Sequence, residues 1–145
     1  MKIEIAASAG FCFGVRRATK TLEDEIASGS RTVYTLGRLI HNDGYNRSLE
    51  ERGVRSISSD GLGDVIARAR SGEPTTVVVR AHGEDRRVLG ELEAAREECP
   101  DFCVLDCTCP YVDKVRRIAE ENSGPDSLFI LIGAAEHPEV RGIMS

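Results

Sequence analysis

A chain of 145 residues is long enough for one compact domain. With 41% hydrophobic and 30% charged residues it has the balance of a globular protein, and its longest apolar stretch, residues 127–132, is far too short to cross a bilayer. A net charge of −5 leaves no broad basic surface, which argues against general nucleic-acid binding and requires any bound anion to be held by a local pocket. The opening MKIEIAASAG has neither the basic start nor the long apolar run of a secretory leader, so the expected compartment is the cytoplasm. Five cysteines in a reducing compartment point to free thiols, a metal or a cluster rather than disulfides.

Taken in order, residues 2–7 alternate and are rich in isoleucine, which predicts a strand. Residues 14–28 carry Val15, Ala18, Leu22 and Ile26 at helical spacing. Residues 32–36 read as a second strand, 45–52 as a helix stopped by Gly53, and 54–57 as a short strand. A weaker helix over 62–70 precedes a β-branched run at 75–80, the pattern of a parallel strand buried on both faces. A helix over 84–98, a strand over 102–106, a proline-started helix over 110–121 and a last strand over 127–132 complete the series. Strand–helix alternation with short connections implies an α/β fold, a parallel sheet flanked by helices. The last unit lacks its closing helix, so the chain reads as one cut short.

The three histidines each follow a predicted strand: His41 in LIHN, His82 in RAHG and His137 in EHPEV. Cys12 in GFCFGV and Cys109 in DCTCP each lie between a predicted strand and a helix. In an open parallel sheet those positions share the carboxyl edge, so all five residues are expected in one crevice. Helix amino-termini there favour thiolates and attract anions. Taken singly, each histidine or cysteine is as readily a packing or loop residue, and Gly10, Gly14 and Gly83 read as turn glycines.

Cys99, Cys103, Cys107 and Cys109 fall within eleven positions, but not at the paired spacing of a zinc ribbon. With a strand over 102–106, rising about 3.3 Å per residue, Cys103 and Cys109 stand up to about 20 Å apart, which argues against a shared ion. No phosphate loop, dinucleotide fingerprint or nucleophile elbow occurs.

The segments GFCFGV (10–15), LIHN (39–42), RAHG (80–83), D-x-T-C-P (106–110) and HPEV (137–140) together resemble the 4-hydroxy-3-methylbut-2-enyl diphosphate reductase (LytB) family, along essentially the whole chain. That resemblance implies an amino-terminal half: one full α/β lobe over 1–108 and the beginning of a second over 109–145, within a three-lobed enzyme about twice this length. It implies a [4Fe–4S] cluster held by three cysteines, of which Cys12 and Cys109 are two and the third lies in the missing carboxy-terminal half. It makes His41, His82 and His137 the diphosphate-binding histidines and Glu139 the carboxylate that delivers protons to the leaving hydroxyl. Pro138–Glu139 would equally suit the start of a helix. The implied reaction is reductive dehydration of 4-hydroxy-3-methylbut-2-enyl diphosphate to isopentenyl and dimethylallyl diphosphate, with ferredoxin or flavodoxin as electron donor and no membrane or nucleic-acid partner.

By that resemblance the 145 residues alone should not turn over. Cys107 is an extra thiol beside a ligand position, expected to be buried rather than to capture iron, and Glu136 adds a negative charge beside a supposed anion site unless it points to solvent. Two rival readings keep the same crevice: a metal-free module that binds a phosphorylated ligand, and an assembly fragment that works only with a separate carboxy-terminal chain.

Overall fold

A computed structural model describes residues 1–145. Helix α1 (Phe13–Ser28) runs into strand β1 (Thr32–Leu36), followed by α2 (Asp43–Glu51), β2 (Arg55–Ile57) and α3 (Leu62–Arg70). Then come β3 (Thr75–Val79), α4 (Arg86–Glu98), β4 (Phe102–Asp106), α5 (Pro110–Asn122) and α6 (Pro138–Met144). The helix starts follow local chemistry. Asn42 caps α2 by accepting from Tyr45 N at 2.9 Å, and Asp85 caps α4 by accepting from Val88 N at 3.0 Å. These caps move the start of α2 two residues earlier and that of α4 two residues later than periodicity alone suggests.

The four strands form one sheet in the order β2-β1-β3-β4, and every pairing is parallel. All four carboxyl ends therefore lie on one edge. Strand β3, Thr75-Thr76-Val77-Val78-Val79, is buried at every position because helices cover both faces. Val77 and Val79 point to one side, where they meet Leu62, Val65 and Ile66 of α3 and Val88, Leu92 and Ala95 of α4. Val78 points to the other, where it meets Ala18 and Leu22 of α1 and Leu49 of α2. Each fully buried valine or leucine contributes roughly 1.5–3 kcal/mol, so this two-sided core is what makes the sheet edge a rigid platform.

Two expected strands are not formed. Residues 2–7 and 127–132 lie outside any helix or strand. Alternation at 2–7 and an apolar run at 127–132 make a strand only where a neighbour completes the hydrogen-bond ladder, and neither segment pairs with the sheet. Ile3 and Ile5 are 74% and 82% exposed, and Leu128, Ile130 and Ile132 are exposed as well. No helix is long and apolar enough to cross a membrane.

Candidate functional site

The site is built from loops at the carboxyl edge of the sheet. After β1, Leu39 and Ile40 are buried in the core, and Ile40 O accepts from Asn42 N at 2.9 Å and from Asn46 Nδ2 at 2.8 Å. Those anchors leave His41 between them as an exposed ring. After β3, Ala81 is buried and Gly83 takes a φ of +73°, a turn that L side chains resist, which directs His82 into the crevice. Arg80 and Glu84 brace this loop through a largely buried pair at 2.9 Å.

The loop after β4 runs alongside the end of β3. Cys107 N donates to Val79 O at 3.0 Å and Cys109 N to Ala81 O at 2.9 Å, so Cys109 lies one residue from His82 across the loops. Asp106 Oδ1 accepts from Thr108 N at 2.8 Å, an aspartate turn that bends the chain into α5. Arg17 of α1 donates to Thr108 O, tying the two helix starts together. Cys12 and Cys109 occupy the N-cap positions of α1 and α5, neither using its side chain to cap. A methyl at Gly14 would stand 2.6 Å from Cys109 Sγ, so the first turn of α1 is cut back to receive that thiol. Cys12, two residues earlier, is exposed, and Cys109 is partly so.

The histidines converge. The ring centroids of His41 and His82 are 4.6 Å apart, those of His82 and His137 5.5 Å, and the ligating atoms of all three fall within 4.8 Å of one another. His82 Nδ1 lies 2.7 Å from Glu139 Oε1, and Glu139 N donates to His137 Nδ1 at 3.3 Å. The structure thus brings together all three predicted histidines and Glu139, and it sets Cys109 beside them. Glu139 does sit in the first turn of α6, but its carboxylate is turned to His82. Glu136 is exposed.

Two routes to this edge differ from expectation. Cys12 and His137 do not follow strands, since residues 2–7 and 127–132 form none; each arrives as the N-cap of a helix instead. The cysteines at 99–109 do not gather around an ion: Cys99 closes α4 before β4 begins, whereas Cys107 and Cys109 lie beyond its other end. Cys107 is 1% exposed, its thiol faces Ala18 O at 3.9 Å, and burial pushes its pKa from 9.0 up to about 11. Its sulfur is packed against α1 and is not presented at the open edge of the sheet.

Sequence patterns did not single out Arg116. Its Nη2 donates to Glu84 O at 2.7 Å, and methyls at Gly83 or Gly142 would collide with its guanidinium. It locks α5 to the His82 loop and to α6. The opposite charges of Arg80 and Glu84 at i,i+4 around A-H-G were the one available signal for this bracing.

Together these features define a class: a parallel α/β protein with a histidine–carboxylate crevice at its carboxyl edge, next to thiols at two helix starts. The family model described as LytB protein matches residues 3–145, and the chain belongs to that family. It is 37% identical over 144 residues to the 4-hydroxy-3-methylbut-2-enyl diphosphate reductase of Caldanaerobacter subterraneus subsp. tengcongensis, covering 99% of this chain and 46% of that protein. It is 39% identical over 147 residues to the protein of the same name from Geotalea daltonii, covering 100% and 46%. A solved structure of (E)-4-hydroxy-3-methyl-but-2-enyl diphosphate reductase superimposes with a TM-score of 0.71 at 34% identity, over 98% of this chain and 46% of that one. The reductase from Plasmodium falciparum gives 0.71 at 30% identity, over 95% and 39%. The chain therefore spans about half the length of the curated relatives it matches.

Proposed function

We propose that this chain supplies the amino-terminal part of a 4-hydroxy-3-methylbut-2-enyl diphosphate reductase, working with a complementary carboxy-terminal half. Residues 1–108 are its first lobe and 109–145 the opening of a second. The observation that carries this reading is the contact of His82 Nδ1 with Glu139 Oε1 at 2.7 Å, which joins residues 57 positions apart within a cluster of three imidazoles. Histidine N–H groups that converge in this way suit the oxygens of a diphosphate, and His41, His82 and His137 bind it. Glu139, held against His82, delivers a proton to the hydroxyl that leaves as water.

Cys12 and Cys109 fit as two ligands of a [4Fe–4S] cluster. Both are free thiols at helix starts on the carboxyl edge of the sheet, and the glycine cut at position 14 makes room for the Cys109 sulfur. A cluster there supplies the electrons for reductive dehydration and an open iron as Lewis acid, while a third cysteine comes from the complementary half. The chain's own residues bind the diphosphate, orient the allylic alcohol and hold the transferable proton. The products are isopentenyl and dimethylallyl diphosphate, the electron donor is ferredoxin or flavodoxin, and the setting is the cytoplasm.

The test is anaerobic reconstitution of the chain with iron and sulfide, together with calorimetric titration of inorganic pyrophosphate. Visible cluster absorbance that disappears in Cys12→Ser and in Cys109→Ser, with pyrophosphate binding lost in His41→Ala, supports the reading. Absorbance and binding indifferent to all three substitutions overturn it.

A further inference from the structure

We propose that His41, His82 and His137 form a binding site for a divalent transition-metal ion of the cobalt-to-zinc series, with Glu139 as the carboxylate that orients one ligand and with one coordination position left open. This goes beyond the diphosphate reading and stands without it.

The geometry is close to what such an ion needs. Imidazole nitrogens bound to one tetrahedral zinc at ~2.0–2.1 Å lie ~3.3–3.4 Å apart. Here the three ligating atoms already fall within 4.8 Å of one another, so small side-chain rotations close the set. His41 is exposed, which leaves its ring free to make the largest of these adjustments.

The hydrogen bonds assign the donor atoms. His82 turns Nδ1 to Glu139 Oε1 at 2.7 Å, which leaves Nε2 as the ring nitrogen that can face an ion. A carboxylate behind a ligating imidazole fixes its tautomer and raises its basicity, the usual supporting arrangement of histidine metal sites. His137 offers Nδ1, whose only bond is a long one of 3.3 Å from Glu139 N, easily given up to a cation. Nitrogen donors select borderline ions over magnesium or calcium, which prefer oxygen. Three histidines fill three of four tetrahedral positions, and the fourth takes water or a phosphate oxygen. The net charge of −5 favours the arrival of a cation.

The experiment must separate imidazole from thiol. In the 145-residue chain, Cys12→Ser, Cys103→Ser and Cys109→Ser together remove the cysteines that are not buried. Calorimetric titration of zinc chloride into that variant is expected to give one ion per chain, and cobalt(II) to give weak visible bands without the intense near-ultraviolet absorption of sulfur ligation. Added to that background, Glu139→Gln weakens zinc by roughly 10–100-fold, as loss of a supporting partner does, and His41→Ala weakens it further. His41 is exposed, so its replacement leaves the core intact, which circular dichroism verifies. No stoichiometric zinc in the thiol-depleted chain, or an affinity that His41→Ala leaves unchanged, overturns the proposal. Pyrophosphate binding by the metal-free chain reports separately on the diphosphate reading, so either can fail alone.

Discussion

Cys109 Sγ lies against the backbone of Gly14, where an added methyl would stand 2.6 Å away. Two helix starts that are 95 positions apart in sequence thus meet through one sulfur and one missing side chain, and Arg17 strengthens the junction by donating to Thr108 O. Gly14→Ala forces the Cys109 loop or α1 to move. Overpacking of this kind costs about 1–3 kcal/mol, and the helix propensity gained is at most about 1 kcal/mol, less in a first turn. Net destabilisation of about 1–2 kcal/mol is expected in a urea titration, together with loss of cluster absorbance after reconstitution. A variant as stable as the parent would show that the two helix starts can separate freely.

Glu139 and His82 form a pair that is 37% and 24% exposed, so solvent screens it and its contribution to folding is small. Glu139→Gln keeps the shape of the side chain, and we expect stability to change by less than about 1 kcal/mol. Turnover with the complementary half should collapse, because an amide delivers no proton. A stable variant with substantial remaining activity would remove Glu139 from the proton path.

Cys107 connects the core to pH. Its thiol is held at about 11 by burial against an ordinary 9.0, so between those values the unfolded chain loses a proton that the folded chain keeps. Stability therefore falls as pH rises through about 9 and the loss levels off above about 11, by up to roughly 2–3 kcal/mol for this group. Tyr45 is displaced upward as well, chiefly by burial and by its bond to Glu23, so the parent titration contains both groups. Subtracting the Cys107→Ala profile isolates the thiol. Parallel profiles for parent and variant between pH 8 and 11 would contradict the buried, protonated assignment.

Glu23 works in the opposite direction. Its carboxylate accepts from Arg52 at 2.9 and 2.6 Å and from Tyr45 Oη at 3.0 Å, and the Arg52 hydrogen bond, against a smaller desolvation effect, holds its pKa below 4.5. The stabilisation is complete above pH 4.5 and is lost as the pH falls through the lowered value. The pair is exposed, so about 1 kcal/mol is the ceiling. Glu23→Gln should lose up to that amount at neutral pH and match the parent at low pH, where Glu23 is protonated, so the acid limb of its stability curve is flatter.

Much of this was legible because local and global preferences agree. Strand β4 and helix α3 have the expected limits: Leu62, Val65, Ile66 and Ala69 of α3 are all buried, and β4 pairs with β3 along its whole length. The meeting of His41 and His82 follows from parallel topology, which puts the loops after β1 and β3 on one edge; His137 joins them as the N-cap of α6, without a strand before it. The segments at 2–7 and 127–132 form no strand because alternation in the first and a continuous apolar run in the second report a preference for a covered face, not the presence of a partner strand. Arg116 was invisible for a related reason: an arginine on an amphipathic helix reads as a solvated charge, and only tertiary packing against Gly83 and Gly142 gives it a role.

That role can be tested directly. Arg116 Nη2 holds Glu84 O at 2.7 Å, and the guanidinium fills the space that side chains at Gly83 and Gly142 would otherwise occupy. It therefore joins the loop that carries His82 to the helix that carries Glu139. Arg116→Ala opens a void between two glycines that cannot fill it, and leaves Glu84 O without its donor. The loss is about 1–3 kcal/mol, the cost of stranding a buried polar group. Lysine should not rescue it, because an ammonium cannot fill the planar gap while reaching the carbonyl. The distinctive readout is local: amide hydrogen exchange should accelerate in residues 138–144 and around His82 more than in β3. Uniform acceleration across the core would mean that Arg116 stabilises the fold generally and does not position Glu139 against His82.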